Sequence, residues 1–439
     1  MMGRMLRGLF LGGTAAVLIV AAFVLGMTSA FVLRPSAPLQ VPEDVAAPAN
    51  FKIYGEVWRY IDREYYGGRP AAEQITRGAL EGLVASLEDP WALLAPQEVS
   101  DAEWFAPHYV DSLGAWIEPV AQGARVLAVV PGGGADEGGL EAGDLIVDAQ
   151  PTDDAQAAEA DQEQSDPDAM DSADAAALFA PSEAEAPLIN DLEGADGPLT
   201  VVLLRTGRAA LQMEVVPDVN AGGPPEATVE VLEDGAVLVR PQRVDEAGVD
   251  ALAEALAALA DTDDAKTALV LDLRDNPGGD LETLAQMAGL FSDGPLWLEK
   301  ARDREARTIE GEQPARGASV FDADARLVVL VNRGTVGAAE MLAAALQERV
   351  GAVLLGEASF GRATRTEVRP LADGTLLRLS VSRWETAGGL SVAEGGLEPT
   401  RVISGRDAQR EAALAVAAGE PLPPAEPETE EASAGAGGG

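Results

Sequence analysis

The sequence predicts a multidomain α/β protein: an N-terminal transmembrane helix, a helical segment, a small α+β domain and a larger α/β domain on a parallel sheet. Three observations carry that reading. An uncharged apolar run extends from Leu9 to Leu33, longer than the roughly 20 residues that cross a bilayer as a helix. The stretches TALVLDLRDN, ARLVVLVN and GAVLLGE are continuous apolar strands of the kind buried on both faces of a parallel sheet, and each runs into a glycine-containing turn. Between the run and these strands lie short strands punctuated by glycine turns, the pattern of a small mixed domain.

Taken in order, residues 1–34 read as the anchor. Arg4 and Arg7 precede the apolar run, so the positive-inside rule leaves the bulk of the chain outside the cytoplasm, in the periplasm or the extracellular space. Thr28-Ser29-Ala30 offers small residues for cleavage, and a removed signal peptide stays open as the alternative to a single-pass membrane protein. Residues 35–50 form a Pro- and Ala-rich linker. Residues 51–108 are helical by period, with Ile53, Val57 and Ile61, and then Ile75, Ala79 and Leu83, on one face expected to pack on the domains that follow.

Composition removes several classes of function. The net charge of −42 repels nucleic acid and anionic lipid surfaces. There is no cysteine, which excludes disulfides and thiolate chemistry. The single histidine, His108, makes a zinc site improbable, so no metal and no cofactor is expected.

Residues 109–216 contain SLGAWIEP and ARVLAVVPGGGADEGGLEAGDLIVDA, in which strand, glycine turn, short helix and the pair Gly143-Asp144 follow one another. This resembles a PDZ domain. The resemblance implies capture of a peptide C-terminus by strand addition, with the amides of the loop Ser112, Leu113 and Gly114 holding its carboxylate. A PDZ-shaped spacer without ligand is the alternative. The insertion 151–198 holds fourteen Asp or Glu and no Lys or Arg, so it buries too little to order itself and is expected to be largely mobile, with a short helix around 173–179. LTVVLLRTG and LQMEVVP close the fold.

Residues 225–405 carry the motifs with chemistry: DNPGG at the end of the first buried strand, VNRGTVGAAEML at Val331–Leu342 and GEASFGRATRTEVRPLADG at Gly356–Gly374. Open α/β sheets place their sites at strand C-termini, where all three fall. Together with VWRYIDREYYGG and GLSVAEGGLEPT, they make the chain resemble the C-terminal processing (tail-specific) serine peptidases from about Phe51 to Val402. The resemblance implies a ClpP/crotonase-like domain with a Ser/Lys dyad helped by a Gln. Aligned on Glu340, the nucleophile's place is held by Gly337, the base's by Arg362 and the Gln's by Thr366. Asn332, Gly334, Phe360, Gly361, Pro370, Asp373 and Gly374 fix the register. The resemblance further implies backbone donors for an oxyanion at Gly278, Gly279 and Ala338.

Glycine has no nucleophilic atom, and arginine stays protonated where a lysine can be tuned into a base. Near the motifs only Thr335 and Ser359 offer a hydroxyl, and the chain's three lysines are Lys52, Lys266 and Lys300. The leading expectation is therefore a pseudopeptidase that binds unfolded or C-terminal peptide segments, alone or beside an active peptidase relative. An active peptidase with a relocated nucleophile and a structural envelope scaffold remain the alternatives. The tail 420–439 is acidic, then Gly-rich, and reads as disordered.

Overall fold

The computed structural model describes residues 51–424 except 68–70, 97–98, 153–184, 196, 207, 209, 219–222, 234, 261–267, 293, 303–306, 312–325 and 394. The apolar run, the linker, the short helix expected at 173–179 and most of the tail lie outside the described residues. Among those described, no helix is long and apolar enough to cross a membrane.

The chain divides into Met1–Gly78 and Ala79–Gly439. Helix α1, Phe51–Glu64, lies in the first unit, and α2, Ala72–Ala85, begins in it. Within the first unit, Ile53 and Val57 are 55% and 51% exposed, while Ile61 and Ile75 are half-buried.

In the second unit the parallel sheet is built as its sequence requires. Strands β8 (Thr228–Val231), β9 (Val237–Arg240), β10 (Ala268–Asp272), β13 (Arg326–Val331), β14 (Val353–Gly356) and β17 (Arg401–Val402) line up in the order β17-β14-β13-β10-β9-β8. All neighbours are parallel except the edge pair β8–β9. Because side chains alternate, Leu269 and Leu271 pack under helices α5 (Glu246–Ala260), α6 (Leu281–Gly289) and α7 (Ala338–Val350). Ala268 and Val270 face the other way and meet Ala413, Val416 and Ala417 of α8, Arg406–Ala418. That last helix packs on this face over β10, β13 and β14, so the domain extends past the boundary at 405 that the sequence motifs indicated. Ala413, Val416 and Ala417 supply the apolar stripe that seats it.

A second sheet joins β1 (Leu93–Leu94), β16 (Leu376–Thr386), β11 (Gly294–Ala301) and β12 (Arg307–Gly311), with β15 (Thr364–Pro370) also on β16. The segment before the smaller domain thus lends a strand to the larger one, Leu93 facing Arg378 and Leu94 facing Leu377.

The smaller domain is a six-stranded antiparallel meander. It runs β2 (His108–Val110), β3 (Ala115–Val120), β4 (Gly123–Val129), β5 (Leu145–Pro151), β6 (Leu199–Leu204) and β7 (Ala210–Val215), with the short helix α3, Gly134–Glu137, between β4 and β5. The acidic insertion is not mobile throughout. Its end folds as α4, Glu185–Glu193, because Leu188, Ile189 and Leu192 present one apolar face that is buried in this domain's core.

Candidate active site

The turn after β10 is organised by Asn276. Its Nδ2 donates to Pro241 O at 2.8 Å, its Oδ1 accepts from Gly278 N at 3.0 Å, and its carbonyl accepts from Val336 N at 2.9 Å. Side chain and carbonyl of Asn276 together therefore tie the Pro-Gly-Gly turn to the residue before Gly337. Gly278 has φ +88, and a side chain there would run into Val336 O at 2.6 Å and Ala338 N at 3.1 Å. Of the three expected oxyanion donors, Gly278 N is already engaged by Asn276. The amides of Gly279 and Ala338 make no hydrogen bond to described residues, and Gly279 is exposed. The turn thus presents two free N–H groups, at Gly279 and Ala338, rather than three.

Gly337 is the N-cap of α7, with φ 55 and ψ −110, a conformation L side chains adopt only under strain. A Cβ added there would point at Arg362 Cδ, 3.9 Å away. The two positions assigned to nucleophile and base therefore face one another across the site. Glu340 fixes both. Its fully buried carboxylate accepts from Gly337 N (2.8 Å) and Arg362 N (2.8 Å) on one oxygen, and from Gly361 N (2.6 Å) and Ser359 Oγ (2.5 Å) on the other. Burial pushes its pKa up, and these four donors oppose that rise.

The Arg362 side chain leaves the site for the smaller domain. Its guanidinium lies 4.0 Å over the Trp91 ring and forks onto Glu118 of β3, Nη1 to one oxygen and Nη2 to the other at 3.1 Å. Glu118 also accepts from Arg378 Nη1 at 2.6 Å. Arg378 is buried, and its remaining donors reach the carbonyls of Trp91, Phe105 and Pro119. Burial lowers the Arg378 pKa while Glu118 raises it. Sequence reasoning placed Arg362 and missed Glu118 and Arg378, whose meeting depends on a pairing 244 and 260 residues apart in the chain. Thr366 is half-buried in β15 opposite Ser380.

The other candidate nucleophiles are committed. Thr335 is fully buried, its Oγ1 donating to Leu273 O at 2.8 Å and accepting from Asn332 N at 3.0 Å. Ser359 is 3% exposed, its Oγ donating to Glu340 and accepting from Leu397 N at 2.6 Å. Lys300 pairs with Glu385 on the outer face of β11, and Lys266 lies outside the described residues.

The loop Ser112–Gly114 is brought near none of these groups by a hydrogen bond. Two of its amides are used within the chain: Leu113 N and Gly114 N both donate to Val110 O, at 3.1 and 2.9 Å. β2 pairs with β3 from Val110↔Ala115 to His108↔Ile117, while β4 takes the other edge of β3. His108 is held by Glu193 at the end of α4 and by Trp104 O. The chain's own strand thus lies between β3 and α4, on the edge where an added peptide strand would pair.

The Pro-Gly-Gly turn and the start of α7 thus bring two amides without described partners to the C-terminal ends of β10 and β13. Residues 237–403 match the model of peptidase family S41. It is 24% identical to the carboxy-terminal processing protease CtpA of Bacillus subtilis over 391 residues, 87% of this chain and 75% of that one. It is 27% identical to a carboxyl-terminal-processing protease of Synechocystis over 393 residues, covering 82% and 83%. Among solved structures, the photosystem II D1 C-terminal processing protease shares the fold with a TM-score of 0.56 at 24% identity, over 80% of this chain and 86% of that one.

Proposed function

We propose that this member of the family is a pseudopeptidase that holds peptide segments without cutting them. One observation carries the reading: the Cβ direction of Gly337 and the side chain of Arg362 meet at 3.9 Å, so the catalytic geometry is kept by residues that cannot perform the chemistry. Glycine offers no nucleophile, and a guanidinium forked onto Glu118 accepts no proton from one. Thr335 and Ser359 cannot substitute, being buried with both hydrogen-bonding capacities engaged. What remains is the pair of free amides at Gly279 and Ala338, able to receive a peptide carbonyl.

The smaller domain we read as PDZ-like, with a groove that takes a C-terminal strand only when His108–Val110 yields its place on β3. With the N-terminal run as membrane anchor, the peptide-holding part stands outside the cytoplasm, where it presents segments to an active peptidase or shields them.

Incubation of the full chain with an unfolded protein across pH 5–9 tests this. No cleavage above background is expected, while the unfolded protein is retained. Cleavage that persists through purification and disappears in Thr335→Ala or Ser359→Ala would overturn the proposal.

A further inference from the structure

Two arginines beside this site are built alike and partnered differently. Arg362 lies on Trp91, and Arg243 lies 4.5 Å over the Trp116 ring. Both indoles belong to the apolar cluster that contains Val336, the neighbour of Gly337. Arg362 has Glu118. Arg243 has no hydrogen-bond acceptor among the described residues, so none of them engages its five N–H donors.

Its placement follows from the chain. Arg243 sits in the connection from β9 to α5, and the next residue, Val244, is bonded to the Pro-Gly-Gly turn through Val244 N to Gly278 O at 2.9 Å. The fit there is tight enough that a side chain on Gly279 would strike Val244 O at 1.8 Å. Arg243 is therefore next in the chain to a residue bonded to the turn that bears a free amide, with its guanidinium carbon 4.5 Å over the Trp116 ring of the smaller domain. Two carboxylates lie near enough to act on its charge, Asp245 and Asp280, but neither pairs with it. Asp245 Oδ1 accepts from Gly248 N, capping α5, and Asp280 takes both Thr283 N and Thr283 Oγ1, capping α6. Burial lowers the pKa of the half-buried guanidinium and the two acids oppose this, so the group is partly stripped of water without a bonded counter-ion.

We infer that Arg243 is a carboxylate-binding residue of the peptide cleft, a planar fork held on Trp116 to receive a carboxylate of a peptide whose carbonyl rests on the Gly279 and Ala338 amides. This rests on the peptide-holding reading above. The shared chemistry is a carboxylate on an extended peptide, from either its C-terminus or an Asp or Glu side chain. The opposite, purely structural, role would be to cover Trp116, which the aliphatic stem and ring contact alone would satisfy.

The test is fluorescence-anisotropy titration of the full chain with three pools of labelled random hexapeptides drawn from neutral residues: free C-termini, amidated C-termini, and amidated C-termini with one fixed Asp. Wild type, Arg243→Gln and Arg243→Lys are compared, with thermal unfolding as the check on folding. A charge-assisted bond of this kind corresponds to about ten- to hundredfold in affinity. The free-acid pool, the Asp pool or both should bind wild type more tightly than the neutral amidated pool, and that preference should vanish in Arg243→Gln and return in part in Arg243→Lys. The first two pools say which carboxylate is the source. If all pools bind wild type and Arg243→Gln equally, the carboxylate assignment fails while peptide holding stands. If no pool binds any version, the peptide-holding reading itself fails and this inference with it.

Discussion

Glu118→Gln probes the junction of the two domains where the site's arginine has gone. Glu118 is 1% exposed and carries two guanidinium groups. Removing its charge leaves both arginines without a counter-ion in a site closed to water, and breaking a buried pair from one side costs about 3–5 kcal/mol. Arg378 keeps three backbone carbonyls, so the lower end applies, about 3 kcal/mol. Across a unit this large that corresponds to at most about 6–12 °C in midpoint. Urea unfolding followed by tryptophan fluorescence reads it, since Trp91 lies under Arg362 and reports the same locus. In a cycle with Arg362→Met, coupling of about 1–3 kcal/mol is expected, because the two side chains are in direct contact. A loss below about 1 kcal/mol, or additive single variants, would refute the claim that this ion pair fixes the smaller domain on the site.

Gly337→Ser should not restore cleavage and should destabilise by about 1–3 kcal/mol, because the residue has φ 55 and ψ −110; thermal unfolding showing no loss would contradict the strain assigned there. Glu299 should make stability acid-sensitive. Its burial pushes the pKa up, but hydrogen bonds from Ser382 and Arg365 and the charges of Arg365 and Arg307 outweigh that and hold it below the usual carboxylate range. Its contribution is therefore present above its unfolded value of about 4.3 and lost as pH falls through the lower folded value, so the gap in urea midpoint between wild type and Glu299→Gln should narrow from pH 6 to pH 3. A constant gap would contradict it. The chain made in its host should fractionate with membranes and keep its N-terminal residues by mass spectrometry; a new terminus near Ala30 would mean a cleaved leader instead.

The parallel sheet was legible because strands buried on both faces are unbroken apolar runs, and candidate site positions could be named because the turns that carry them are sequence-local. Gly337 and Arg362 could be placed by register alone, and the structure sets them face to face. What was not legible depends on distant partners. Nothing local marks Glu118 as the acid for Arg362, or β2 as the neighbour of β3 rather than a bare edge. Helix α4 was hidden by composition. Fourteen acids dominate the window, while three residues, Leu188, Ile189 and Leu192, decide whether its end folds. Helix α8 was missed for a similar reason, its stripe being mostly alanine, which carries little hydrophobic signal and packs well against a sheet.

The strand His108–Val110 sets a threshold. It is joined to β3 by a four-residue turn, so it returns to its seat from an effective concentration on the order of millimolar, far above any dilute ligand. A foreign strand must first find the seat empty. Each ~1.4 kcal/mol by which the tethered strand favours it weakens the ligand's apparent affinity tenfold. On the PDZ-like reading proposed above, the groove would ignore chain ends that pass at low concentration and answer to one that is abundant or held nearby. Because that exchange breaks His108 from Glu193, occupancy would also be felt at the end of α4, the last turn of the acidic insertion.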